Sequence, residues 1–87
     1  MKNLKIICFV DDQGPSQIQK SIVNDLQKGL KNVEFKIVDV KNDGEDISKY
    51  NIKEFPSIII QSDKDHMKFS GLTQQIFIER AIDKLLK

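Results

Sequence analysis

Leu4 to Val10 is almost continuously apolar, and that run limits what this chain can fold into more than any other feature. Apolar residues without alternation read as a strand covered on both faces, so the sheet that contains it needs helices above and below. Asp11 to Gly14 then interrupts the run with polar, turn-forming residues. Pro15 fits the first turn of a helix, where its missing N–H removes no hydrogen bond. The opening is therefore a buried strand that turns directly into a helix.

The remaining patterns alternate between the two periods. Ile18, Ile22, Leu26 and Leu30 recur at four-residue spacing with Val23 beside them, which predicts an amphipathic helix ended by Gly29 or Asn32. Val33, Phe35 and Ile37 alternate with Glu34 and Lys36 before Val38 and Val40, as in a second strand. A polar loop over Lys41 to Gly44 and a short helix over Glu45 to Asn51 follow, with Ile47 and Tyr50 on one side of it. Ser57 and Ile58 to Ile60 form a third strand. Asp63-Lys64-Asp65 predicts a hairpin turn into a fourth strand from His66 to Phe69. Thr73 is placed to cap a last helix that buries Phe77, Ile78, Ala81, Ile82, Leu85 and Leu86. The order β-α-β-α-β-β-α predicts an α/β domain: a mixed four-stranded sheet with helices on both faces. No linker or repeat divides the chain, so 1–87 reads as a single domain.

Composition narrows the function classes. The net charge is +1 and Arg80 is the only arginine, so neither a basic field nor bidentate base contacts favour nucleic acid. No apolar stretch approaches the roughly 20 residues that cross a bilayer, and no cleavage motif follows the N-terminus. A cytoplasmic protein with no membrane association is the expectation. Cys8 is the only cysteine, which excludes an intramolecular disulfide and a multi-thiolate zinc site. Its place in the middle of the first strand marks it as an inert core thiol. His66, the only histidine, stands beside the hairpin and reads as a solvated residue rather than a metal ligand. Asp39 to Gly44 has the glycine of a calcium loop, but Lys41 replaces a ligand and Tyr50 stands where a bidentate glutamate is required. Asp11 and Asp12 precede a helix N-terminus and read as capping and dipole partners. No metal or cofactor is expected.

Three landmarks, correctly spaced within this order of elements, resemble the thioredoxin-like superfamily in its minimal, glutaredoxin-sized form. They are Gly14-Pro15 at the strand-to-helix junction, Phe55-Pro56-Ser57 before the third strand, and Ser70-Gly71 after the fourth. The resemblance implies that Pro56 is cis and lies against the active-site turn. It also places Gln13 and Ser16 at the positions of the attacking and resolving cysteines, so that the CxxC motif is degenerated to Gln13-Gly14-Pro15-Ser16. Thiol–disulfide exchange needs a thiolate to attack and a second thiol to resolve, and neither residue provides one. Ile7 falls where the family keeps a buried aspartate, and Ile37 or Val38 where it keeps that aspartate's lysine partner.

The expectation is a redox-inactive module that binds a protein or peptide in the groove between the Asp12–Pro15 turn and Pro56. In the family an extended peptide crosses this groove and pairs with the residue before the proline, which here is Phe55. The site residues carried over are Asp12, Gln13, Gly14, Pro15, Phe55, Pro56, Ser70 and Gly71. Two other readings stay open. One is a one-thiol or glutathione-binding oxidoreductase or transferase, for which Lys53 is a candidate cation. The other is a partner-binding regulator like the clock-protein KaiB family, which shares a Val-Asp-Val-like strand at Val38-Asp39-Val40.

Overall fold

A computed structural model describes residues 4–30, 33–41 and 44–86, with the side chains of 44–46 excepted. The elements are β1 (Leu4–Val10), α1 (Gly14–Gly29), β2 (Val33–Asp39), α2 (Gly44–Lys49), β3 (Ser57–Gln61), β4 (His66–Ser70) and α3 (Gln75–Leu86). They form the expected mixed sheet, in the order β2-β1-β3-β4. β1 pairs with β2 in parallel and with β3 in antiparallel register, and β4 completes an antiparallel hairpin with β3. α1 ends at Gly29; Asn32, the other expected terminator, lies outside the described residues, as do Asn42 and Asp43 of the polar loop.

β1 shows why its run carries no polar alternation. Leu4, Ile6, Cys8 and Val10 point to one face and join Val23 and Leu26 of α1, Ile58 and Ile60 of β3, and Ile78, Ala81 and Ile82 of α3. Ile7 and Phe9 point to the other, with Val38, Ile52 and Ile59, and with Ile47, Tyr50 and Phe55 packed against them. Alternate residues of one strand thus build both halves of the core. The Phe9 and Tyr50 rings meet at 5.7 Å, tilted by 59°, within the range of favourable aromatic pairs.

α1 and α3 differ from the periodicity reading. The buried residues of α1 are Ser16, Gln19, Val23 and Leu26, whereas Ile22 and Leu30 are only partly covered and Ile18 is 52% exposed. A four-residue step overshoots a turn of roughly 3.6 residues, so the row from Ile18 to Leu30 drifts around the helix. The inward face instead follows alternating steps of three and four. In α3, Ile78, Ala81 and Ile82 are buried and Leu85 packs against the core, but Phe77 and Leu86 are exposed because they flank that stripe.

Local chain reversals follow from side-chain chemistry. Ser62 and Asp65 close the β3–β4 hairpin: the Ser62 N–H donates to the Asp65 carbonyl at 2.7 Å and the Asp65 N–H to Ser62 Oγ at 3.1 Å. Asn51, just beyond α2, has φ 56°, a conformation that asparagine tolerates better than most residues. Thr73 is not the cap of α3. Its hydroxyl donates to the Gly71 carbonyl at 3.1 Å, and the Gln74 carbonyl accepts the N–H groups of Phe77 and Ile78 that begin the helix.

Candidate functional site

Sheet pairing gathers the landmark residues at one end of the molecule. Phe9 stands opposite Ser57, so the chain leaving β1 toward Asp11 and Pro15 emerges beside the chain entering β3 through Phe55 and Pro56. Ser57 in turn opposes Ser70 at the end of β4. The Gly71 N–H donates to the Pro56 carbonyl at 2.8 Å, and the Phe55–Pro56 peptide is cis. Gly71 has φ +84°, in the left-handed region where a glycine avoids the strain of a Cβ. Ser57 is fully buried, and its hydroxyl donates to the Glu54 carbonyl at 2.6 Å.

Exposure separates the expected site residues. Asp12, Gln13, Gly14, Pro15 and Ser70 are exposed, while Phe55 and Gly71 are half-buried. Pro56 is fully buried. Its ring offers no surface of its own.

The turn from β1 into α1 is held by a closed pair of hydrogen bonds. Ser16 Oγ donates to the Asp11 carboxylate at 2.7 Å and accepts the Asp11 N–H at 3.0 Å. The same carboxylate oxygen accepts the Gln13 N–H at 3.1 Å. Ser16 is fully buried, so its hydroxyl is committed to Asp11. Gln13 is the N-cap of α1 but makes no side-chain cap; its amide donates to Asp12 at 3.1 Å. The capping reading of the two aspartates is therefore corrected. Asp11 fastens the turn, and Asp12 pairs with Lys41 at 3.0 Å on the surface.

Lys41 reaches Asp12 from the end of β2, where its own N–H donates to Asp39 at 2.9 Å. The Lys41 hydrogen bond and charge, with the Gln13 amide, hold the Asp12 carboxyl below the usual aspartate range; Asp12 in turn raises Lys41. Asp12, lowered, stabilises the fold above the ordinary aspartate range and loses that contribution as pH falls through its own value. The expected result of a carboxyl NMR titration is a depressed Asp12 midpoint that moves up toward the ordinary value in Lys41→Met. An unchanged midpoint in that variant would show that Lys41 is not the cause.

Cys8 is fully buried in the α1/α3 half of the core, and burial pushes its thiol up to about 12, with Lys20 opposing weakly. Ile7, on the opposite face of β1, is buried among Phe9, Val38, Ile52 and Ile59. Val38 is the β2 residue that fills this cluster; Ile37 pairs with Cys8 on the other face. Lys36 stands opposite Ile7 in the register and is exposed. His66 is exposed at the start of β4, and the described residues include no group of three or more His, Cys, Asp or Glu side chains placed to hold a metal. No helix among the described residues is long and apolar enough to cross a membrane.

Sequence reasoning missed Gln19. This fully buried residue donates from Nε2 to the Thr73 carbonyl at 3.0 Å and accepts the Thr73 N–H at 2.7 Å, joining α1 to the segment after Gly71. The signal available was its spacing, three residues beyond Ser16 and four before Val23. Nothing in the sequence marks Lys41 as a partner of Asp12.

No protein-family model matches the sequence, and a search of curated proteins gives no match. Solved structures match its fold. A malarial protein superposes with a TM-score of 0.88 at 19% identity, over 98% of this chain and 99% of that one. Thioredoxin from Fasciola hepatica gives 0.85 at 26% identity, covering 95% of this chain and 81% of its own. Thioredoxin-2 of the malaria parasite, described as a component of the parasite's protein secretion machinery, gives 0.84 at 19%, covering 95% and 84%. The chain has a thioredoxin-like fold.

Proposed function

We propose that this thioredoxin-like chain is a redox-inactive module that binds an extended segment of a protein partner at the end of the sheet where β1 meets α1. The observation that carries this reading is the fate of the groups at the two cysteine positions. Gln13 offers an amide at the surface, and the Ser16 hydroxyl is buried and committed to Asp11. Thiol chemistry would fall to Cys8, whose thiolate is suppressed by burial at neutral pH.

Exposed Asp12, Gln13 and Ser70, with half-buried Phe55 and Gly71, offer hydrogen-bonding groups at this end of the sheet. The site lies beyond the carboxyl end of β1, where one connection leaves toward β2 and the sheet continues to β3 on the other side. Such switch points are common binding positions in α/β sheets. A peptide there would gain affinity from main-chain hydrogen bonds at Phe55 and selectivity from the side chains around it.

The test is selection of displayed random peptides on the intact protein, compared with Gln13→Arg and Ser70→Arg. Both positions are exposed, so these variants should keep the fold. The expected result is enrichment on the wild type that weakens at least tenfold on each variant. Equal enrichment on all three, or none on the wild type, overturns the binding assignment. Insulin reduction that depends on Cys8 overturns the redox-inactive one.

A further inference from the structure

We infer that two copies of this chain associate through the outer edge of β2, antiparallel, about a two-fold axis through Phe35. β2 is the first strand of the sheet, paired only with β1 among the described residues. A strand paired in parallel on one side directs its alternate N–H and C=O groups to the other, where a further strand can take them. The edge is also incompletely covered. Ile37 is 36% exposed, and Val33 and Phe35 are only partly buried against the α1/α3 core.

The occupant follows from the sequence of the strand. When an antiparallel strand pair is related by a two-fold axis normal to the sheet, each residue meets one on its own face, so the axis passes through a residue. With Phe35 at the axis, Glu34 of each copy stands opposite Lys36 of the other, giving two opposite-charge pairs on one face. On the other face Val33 stands opposite Ile37 twice, and the two Phe35 rings meet at the centre. Centring on Lys36 sets lysine against lysine and Val33 against Asp39. Centring on Glu34 sets carboxylate against carboxylate, and centring on Ile37 leaves both charged residues without complements. Opposite charges directly across a strand pair are favourable and like charges unfavourable, so one register is selected. Lys36 also interacts within its own chain, and an exposed lysine can exchange such a contact for the carboxylate of a second copy.

The opposite edge of the sheet has no such complementarity. β4 exposes His66, Lys68 and Ser70 and carries no carboxylate. Lys68 at its centre is drawn to the Asn51 carbonyl at 3.0 Å. Unlike Lys36 on β2, Lys68 has no carboxylate on its own strand to meet across a second copy. The two edges are thus chemically distinct, and only β2 matches itself.

Sedimentation velocity on the intact chain and its charge variants tests the inference. Wild type is expected to form a dimer that populates with increasing concentration. Glu34→Lys and Lys36→Glu each turn both ion pairs into repulsions and should weaken association about tenfold or more. The double variant Glu34→Lys/Lys36→Glu restores both pairs with reversed polarity and should recover the wild-type constant. The three variants change exposed positions only, and circular dichroism checks that each one folds. A wild type that remains monomeric at millimolar concentration, single variants that associate as tightly as wild type, or a double variant that fails to recover each overturns the proposal.

Discussion

Replacing Gln19 with leucine is expected to lower the free energy of unfolding by about 2–6 kcal/mol, the loss on leaving two buried backbone groups without partners at about 1–3 kcal/mol each. The substitution keeps a side chain of similar size, so a cavity contributes little. It orphans the Thr73 N–H and carbonyl, which Gln19 alone reaches from α1, in the buried space between α1 and the β4–α3 connection. A stability of roughly 5–15 kcal/mol is usual for a whole protein, so the variant should show a large drop in its urea midpoint by circular dichroism. Gln19→Glu provides the check on mechanism. A protonated carboxyl can donate to the Thr73 carbonyl and accept from its N–H; a carboxylate can only accept. Burial raises the carboxyl above its unfolded value, so this variant is more stable in acid and loses stability as pH rises through the folded value. A midpoint for Gln19→Leu equal to that of wild type would show that the buried pair contributes nothing. The consequence extends to the proposed site, because Thr73 is two residues beyond Gly71, whose N–H is fixed to Pro56.

The second large effect concerns Cys8. At neutral pH a thiol-specific reagent should modify the native chain about a thousandfold more slowly than the urea-unfolded chain, because the thiol is reached only when the core opens. Burial also predicts an alkaline instability. The unfolded thiol titrates near its ordinary value of 9.0, and burial pushes the folded one up to about 12. Below 9.0 both states hold the proton and this contribution to stability is complete. As pH rises through the interval the unfolded chain releases the proton first, and stability falls by about 1.4 kcal/mol per unit. Urea unfolding at roughly pH 8 and roughly pH 10.5 should therefore differ more in wild type than in Cys8→Ala, whatever the cavity in that variant costs at the lower pH. Rapid modification of the native protein at neutral pH would place the thiol within reach of solvent and would reopen one-thiol chemistry.

The fold was legible wherever a side chain's environment depends on its own strand. β1 lost its alternation because both of its faces are covered, and β3 repeats this at Ile58 to Ile60. Helix faces were less legible. Ile18 and Phe77 are strongly apolar yet half exposed, whereas Ser16 and Gln19 are polar and fully buried. Hydrophobicity alone assigns these four residues the wrong way round, because a polar residue enters the interior when each of its polar atoms finds a partner. At the site, the landmarks of the turn and the proline were visible, but the burial of Pro56 and the ties of Ser16 to Asp11 and of Lys41 to Asp12 were not.

By itself the sequence determined the order of elements, a central strand buried on both faces, and the lack of a second thiol, since these depend on residue type and short-range period. Tertiary structure decided which helix residues turn inward, that Gln19 serves a backbone 54 residues away, and that β2 and β4 are the two edges of the sheet. Such partners are set by how strands cross and pair. A partner across the sheet has no fixed spacing along the chain, so no local period records it.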